Sequence, residues 1–230
     1  MGARNQESKN LKFYSLKAKV DKDIDPHFAI TEKVDDKWQV TGTFDEMFGK
    51  ITKVDIQEKE YQGVKSNYFR LYMEDQDETS CVDLTHNAIT YSILNTLSSE
   101  FDTSKEISIK VYKKSSEKDG KTYWNGRASL TAEGEKLGWA IEISEIPRPE
   151  QLFNAKGQPV LTNGKNTFDN SGVIAFWEDV FNTKIAPKFN TASNDPQPTG
   201  ESETAEPKKE ATKVKADPTP NEDEDDDLPF

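Results

Sequence analysis

The chain has 230 residues, a formal net charge of −12, a mean hydropathy of −0.86 and a single cysteine, Cys81. One cysteine excludes an intramolecular disulfide and any metal site built from several cysteines. The sequence has no apolar run long enough to span a bilayer, and its first ten residues lack the apolar stretch of a signal peptide. We therefore expect a soluble protein of the reducing cytoplasm, without a membrane partner.

Residues 1–190 have the composition of a folded body. Leu11 to Phe44 contains short runs on either side of a "DDKW" turn, which predicts extra N-terminal strands. From Lys50 to Tyr61 the apolar residues recur with period two, which predicts a long strand with Thr52, Val54 and Ile56 on one face.

Four further elements follow in chain order. "YFRLYM" (68–73) and "SCVDL" (80–84) alternate as strands do, and "HNAITYSILNTLSSEF" (86–101) has apolar residues at helical spacing. Two more alternating runs flank the Asp119-Gly120 dipeptide, which is a strong signal of a β-hairpin. Each inner set of apolar residues therefore defines an outer set on the opposite face.

The order strand, strand, strand, helix, strand, strand is that of the OB fold, a five-stranded Greek-key barrel with one helix between strands 3 and 4. Gly49 stands before the long first strand, where barrel strands often bend. "WAIEI" (139–143) suggests one more strand, and 172–184 suggests a C-terminal helix with Val173, Phe176, Val180 and Phe181 on one face. We predict one such domain over 1–190.

The outward faces of three predicted strands mix aromatic rings with cations. Single-stranded nucleic acid requires this mixture, because its bases stack on rings and its phosphates pair with Lys and Arg. For a single residue the alternative is a half-buried tyrosine or an edge-strand lysine with no ligand. Trp124 is expected to pack inward or to cap the hairpin, and stacking on a base is the less favoured alternative. The predicted nucleic-acid-binding residues are Tyr68, Arg70, Tyr72, Lys110, Tyr112, Lys114, Tyr123 and Arg127.

No catalytic chemistry stands out in the sequence. His27 and His86 are far apart, and His86 beside Asp83 fits a polar helix start better than a metal site. Neither a phosphate-binding GxxxxGK[ST] loop nor a GxSxG nucleophile motif occurs. We expect no enzyme activity, no metal and no cofactor.

The last forty residues differ sharply from the body. They contain 12 of the acidic residues and only four of the basic ones. Residues 191–220 are rich in Pro, Glu, Ser, Thr and Lys and poor in apolar residues, which predicts a disordered linker. The chain then ends in "DEDDDLPF" (223–230), where an acidic run is followed by three apolar residues.

This ending resembles the C-terminal tip of bacterial single-stranded DNA-binding proteins, which join an OB domain to such a tip by a flexible linker. The body is larger than in those proteins and does not match them residue by residue. It looks more like a phage-encoded or divergent member of the class. In that family the tip binds replication, recombination and repair proteins. The resemblance therefore assigns partner binding to Asp225, Asp226, Asp227, Leu228, Pro229 and Phe230.

The predicted function is sequence-independent binding and protection of single-stranded DNA in replication, recombination and repair. The acidic tip would recruit partner proteins and compete with DNA for the body. Two alternatives stay open: an acidic-tailed protein-interaction module, such as a chaperone or DNA mimic, and an OB-fold protein that binds RNA or anneals strands. Whether the chain forms a homo-oligomer is also left open, and a phage-encoded protein would act in the bacterial host's cytoplasm.

Overall fold

The strands and helices were assigned in a computed structural model that describes residues 11–35, 37–61, 63–75 and 78–190, apart from the side chains of Trp38 and Tyr61. The predicted linker and acidic tip, 191–230, lie outside the described residues. The described part is mainly β. Its longer strands are β1 (Leu11–Lys17), β2 (His27–Val34), β3 (Lys37–Phe44), β4 (Glu46–Tyr61), β5 (Val64–Asp75), β6 (Glu78–Leu84), β7 (Ile107–Lys118) and β8 (Lys121–Ala132).

Shorter elements complete the described part. Helix α1 (Ala88–Leu97) stands between β6 and β7, and a helical segment ends the body. That segment comprises α2 (Ser171–Val180), a π-helical turn (Phe181–Ile185) and α3 (Ala186–Phe189). A separate 3-10 turn (Ile143–Glu145) follows β9. The two-residue strands are β9 (Glu135–Lys136), β10 (Glu150–Gln151), β11 (Leu161–Thr162), β12 (Lys165–Asn166) and β13 (Phe168–Asp169).

Nine strands form one large sheet in the order β3-β2-β1-β6-β5-β4-β7-β8-β9. The three N-terminal strands were predicted as additions packed on a barrel. They instead extend the sheet, because β1 pairs in parallel with β6. Within the described residues the two end strands, β3 and β9, do not pair, so the sheet is not a closed barrel.

The predicted strand faces agree with the structure except at one bulge. Phe69, Leu71 and Met73 of β5 are buried, as their alternation predicts. In β4 the register shifts between Ile51 and Lys53, so Ile51 is buried at 2% exposure before the bulge. Thr52 therefore does not continue the row of buried residues that Val54 belongs to.

The hairpin between β7 and β8 also follows its sequence signal. Lys118 pairs with Lys121, so Asp119 and Gly120 form a two-residue loop. Their φ values of 53° and 73° are the positive angles that such a turn requires. Ile107, Ile109 and Val111 of β7 face the core opposite Ala128, Leu130 and Ala132 of β8.

Two predictions from the sequence were wrong in detail. Residues 139–143 do not form a strand; Ala140 and Ile141 are instead held by the amide of Asn95, which accepts both of their backbone N–H groups. The C-terminal helix does not run unbroken to Lys184, because a π-helical turn begins at Phe181. Trp177 is its largest buried side chain, at 1% exposure, and the predicted apolar face omitted it.

The bend of β4 depends on Gly49. This residue ends the segment that pairs with β7, while Lys50 begins the segment that pairs with β5. Its φ is +142°, and a Cβ atom placed there would lie 2.8 Å from the backbone oxygen of Glu74. Glycine therefore allows one strand to hold both halves of the sheet together.

We expect Gly49→Ala to lower the free energy of unfolding by on the order of 1–3 kcal/mol, because the substitution adds backbone strain and a contact with β5. Urea denaturation measures this loss. The matched control is Gly138→Ala, where a Cβ would meet no atom within 4 Å and φ is not in the positive range. Equal stability of the two variants would contradict the role assigned to Gly49.

Candidate nucleic-acid interface

The first group of predicted residues lies together on the outer face of β5. Tyr68, Arg70 and Tyr72 are each half-buried. Arg70 pairs across the sheet with Asp55 of β4 on one side and with Asp83 of β6 on the other. The predicted mixture of rings and cation is therefore present on β5, but carboxylates flank it on both neighbouring strands.

Arg70 is already engaged by those neighbours. Its Nε donates to Oδ1 of Asp83 at 2.6 Å and its Nη2 donates to Oδ2 at 3.0 Å, which is a bidentate ion pair. Nη2 also lies 3.0 Å from the hydroxyl of Tyr68, and the guanidinium is 5.4 Å from the ring centre of Phe13. The hydrogen bonds to Asp83 raise the pKa of Arg70, and burial only partly opposes them. Its positive charge is largely compensated within the protein.

The tyrosines of this group are held in the same network. The hydroxyl of Tyr72 donates to Oδ2 of Asp55 at 3.2 Å, and Lys53 Nζ lies 3.1 Å from the same oxygen and 4.9 Å from the centre of the Tyr72 ring. Partial burial raises the pKa of both Tyr68 and Tyr72, so both phenols are neutral at physiological pH. The rings are fixed in place, but the surface offers a phosphate little free positive charge.

Phe13 joins this surface although the sequence interpretation omitted it. It pairs with Cys81 in the parallel register of β1 and β6, and it is 45% exposed. The alternation in "LKFYSLK" places Phe13 on the outer face of β1 and Tyr14 and Leu16 on the inner face. This alternation is the sequence signal that could have identified Phe13 as an outward-facing ring. Its position beside Arg70 depends on a long-range strand pairing, and no local pattern indicates that pairing.

The second group lies on the outer face of the β7–β8 hairpin. Tyr112 pairs directly with Arg127, and both side chains are exposed. Lys114 pairs with Asn125, and Lys110 pairs with Ser129. Ring, guanidinium and ammonium groups therefore alternate along two neighbouring strands with the spacing of a sheet face.

The charges of this hairpin are compensated unevenly. Lys110 Nζ lies 3.4 Å from a carboxylate oxygen of Asp45, and Lys113 Nζ lies 3.3 Å from one of Asp25. The remaining cations make no ion pair with any described residue, and all are exposed. They are Lys114, Lys118, Lys121 and Arg127.

The two groups do not merge into one cluster. β5 and β7 lie on opposite sides of β4. Within the described residues, no hydrogen bond, ion pair or ring contact joins Tyr68, Arg70 or Tyr72 to the predicted residues of the hairpin. The sequence interpretation placed all eight residues on one kind of face, and the structure divides that face into a compensated part and an uncompensated part.

A pocket of about 570 Å³ opens beside the free edge of β8. Its walls come from β8, from the start of α1, from residues 18–21 and from the segment that follows β9. Three of the four tryptophans of the chain line it, namely Trp124, Trp139 and Trp177. We call it the tryptophan pocket. Trp124 faces inward as expected, but it lines this pocket rather than a filled core.

His86 has an unusual, largely buried environment. Tyr91 OH lies 3.3 Å from Nδ1 of His86, while Nε2 is buried without a hydrogen-bond partner, 3.7 Å from Glu178. Burial lowers the pKa of His86, and Glu178 only partly opposes this. The described residues contain no group of three or more His, Cys, Asp or Glu side chains placed to hold a metal ion, and none of their helices is both long and apolar enough to cross a membrane.

Comparisons with protein-family models, with curated proteins and with solved structures gave no match to this chain. The residues predicted to bind partner proteins, Asp225 to Phe230, lie outside the described part.

We expect stability to fall as the pH falls through about 6.5, the ordinary histidine pKa. The unfolded chain takes up a proton at His86 that the folded chain resists, so acidification favours unfolding until the pH is below the lowered pKa. Denaturation of wild type and His86→Gln at several pH values measures this, and the variant should lose less stability over that interval. His27→Gln is measured alongside as the control for loss of an imidazole elsewhere in the chain. Identical profiles for wild type and His86→Gln would contradict the assignment.

Proposed function

We propose that the protein binds single-stranded DNA without sequence preference and protects it during replication, recombination and repair. The observation that carries this proposal is the outer face of the β7–β8 hairpin. There the exposed Tyr112–Arg127 pair is accompanied by Lys114, Lys118 and Lys121, none of which has an acidic partner among the described residues. Exposed rings and uncompensated cations suit stacked bases and phosphates.

The strand pairing supports a partly open OB-type module as the scaffold. β4 pairs with both β5 and β7, and α1 stands between β6 and β7, as expected for strands β4 to β8 of such a module. The position beside β6 is taken by β1. We infer that the N-terminal strands widen an OB-type sheet.

The β5 surface has a different role in this proposal. Arg70 is held by Asp83, so the β5 surface contributes little free charge. It contributes the rings of Tyr68, Tyr72 and Phe13, while the hairpin contributes the free charge. A strand that contacted both surfaces would follow the outer face of the sheet across β4. Stacking on the β5 rings would then add to binding that the hairpin cations initiate.

The charge distribution supports a second role for the acidic tip. The body carries a formal charge of only −4, while residues 191–230 carry −8. If residues 191–220 form the disordered linker that the sequence predicts, a chain of forty residues would have a typical end-to-end distance of about 35 Å, and the tip would reach the hairpin or a separate protein. Phe230 offers a ring and a terminal carboxylate to a partner's basic, apolar pocket, and the aspartates compete with DNA for the hairpin cations.

The hairpin lysines should set the salt dependence of binding. For single strands, each phosphate contact adds about 0.7 to the slope of log affinity against log salt concentration. We expect Lys114→Gln, Lys118→Gln and Lys121→Gln together to reduce the slope for a dT oligonucleotide by about 2. Fluorescence titration at several salt concentrations measures the slope.

The control for this experiment removes three exposed lysines elsewhere, Lys59, Lys156 and Lys184. It changes the net charge by the same amount and should reduce the slope less. Equal slopes in the two triple variants would show that the hairpin is not the phosphate-binding surface. No binding of dT by the wild-type protein would instead favour the protein-interaction module, and a preference for oligo-U or annealing of complementary strands would favour an RNA-binding or annealing protein.

Two deletions separate the roles proposed for the tip. Removal of 217–230 eliminates seven carboxylates and changes the net charge from −12 to −5. It should tighten binding of dT, most strongly at low salt, where charges are least screened. Removal of Phe230 alone keeps those side-chain charges, so DNA affinity should change little while capture of replication or repair proteins weakens. If both variants behave as wild type in both assays, the tip has neither role.

A further inference from the structure

The tryptophan pocket is a site for which the proposed function does not yet account. Trp124 lies on the inward face of β8, and Trp139 lies after β9 with half of its surface exposed. Trp177 forms part of the wall at 1% exposure and stacks on Tyr91, with ring centres 5.3 Å apart. Two accessible indole rings around a space of about 570 Å³ provide the apolar walls of a small-ligand site.

Cations at the pocket favour an anionic ligand. Lys19 and Arg127 line it, and neither forms an ion pair with a described residue. Lys113 lies behind Trp124, with Nζ 5.2 Å from the ring centre, and its ammonium group is held by the backbone oxygens of Asp21 and Lys22 and by Asp25. Asp21 also lines the pocket, but its Oδ1 already accepts the backbone N–H groups of Asp23 and Ile24.

The pocket is continuous with the hairpin surface. Tyr123, Asn125 and Arg127 belong to the outer face of β8 and also line the pocket. This is geometrically allowed because β9 pairs with Thr131 and Ala132, and Leu137 N–H donates to the backbone oxygen of Leu130. Before Leu130, no described strand pairs with that edge of β8. A chain that lies across Tyr112 and Arg127 reaches the pocket at that edge.

The accessible part of the wall consists of rings and cations. The hydroxyl of Ser92 and Nε1 of Trp177 are unpaired among the described residues, but both atoms are closed off beneath the pocket surface and cannot reach a ligand there. A nucleobase has a flat apolar face that suits the rings of Trp124 and Trp139, and its phosphate suits Lys19 and Arg127. A hydrocarbon would leave those cations without a partner.

We propose that the tryptophan pocket receives an unstacked base of the bound single strand, between Trp124 and Trp139, with Lys19 and Arg127 at the neighbouring phosphates. This inference rests on the proposed function and adds to it a pocket for a single base, which stacking allows for any of the four bases. The hairpin lysines act on phosphates alone, whereas the pocket distinguishes a strand with bases from one without.

The test compares a dT oligonucleotide with an abasic strand of the same length, each titrated into the full-length protein. Wild type should prefer dT. Trp139→Ala and Trp124→Ala should each reduce this preference by about fivefold to a hundredfold, the range that stacking of a base on a ring supplies. Phe153→Ala is the matched control, because Phe153 is 58% exposed and outside the pocket, and it should keep the wild-type preference.

A second variant changes the pocket at an exposed position. Thr122 is exposed and lines the pocket, so Thr122→Phe adds a ring there, retains both tryptophans and should reduce the preference for dT in the same direction. Tryptophan fluorescence should be quenched by dT in wild type and less so in Thr122→Phe. The abasic strand should bind every variant about equally.

Different results would contradict the proposed function and the inference about the pocket. If wild type binds neither strand, the proposed function is wrong. If it binds dT but the pocket variants keep the same preference as Phe153→Ala, the function stands and the pocket does not receive a base. If a peptide of sequence EDEDDDLPF quenches the tryptophans while dT does not, the pocket binds the acidic tip and this inference is overturned.

Discussion

The double pairing of β4 is the constraint on which the arrangement of both surfaces depends. One strand of 16 residues contacts β7 through its first residues and β5 through the rest. This is feasible only if the strand bends and lets β5 approach closely, and Gly49 meets both requirements at the backbone oxygen of Glu74. The aromatic face of β5 and the cationic face of β7 and β8 are therefore placed by one covalent segment.

Electrostatic compensation then gives these two faces different properties. On β5, the Arg70–Asp83 pair fixes the guanidinium in a half-buried environment, where an unpaired charge would be unfavourable. On the hairpin, the exposed cations keep their hydration and need no partner. The compensated face is thus a rigid surface for rings, and the uncompensated face is the better long-range attractor for a polyanion. Residue types alone could not separate them, because both faces contain tyrosines and cations.

Local patterns predicted the features whose physical cause is local. The Asp119-Gly120 turn follows from positive φ angles that those residues tolerate, and the faces of β5 follow from its alternation. The bulge at Thr52 shifts the inner face of β4 by one residue without any signal in composition. The pairing of β1 with β6 joins residues more than sixty positions apart, and no local pattern indicates it. The ion pair of Arg70 with Asp83 depends on the register between β5 and β6, which composition does not specify. The mainly β body, with a helix between β6 and β7 and a helical C-terminal segment, could be predicted from the sequence, whereas the open nine-stranded sheet could not.

The tryptophan pocket depends on tertiary contacts that no local sequence pattern indicates. Three tryptophans scattered over more than fifty residues give no motif, and each alone fits a core position. Gly126 lets β8 pass close to Ile89 of α1, since a Cβ atom there would clash with the end of that side chain. The same approach brings the free edge of β8 over the start of α1, so the cationic outer face and the aromatic inner wall adjoin at Arg127. In the function proposed above, the phosphates of single-stranded DNA would contact the cationic side of that edge, and an unstacked base would contact the aromatic side.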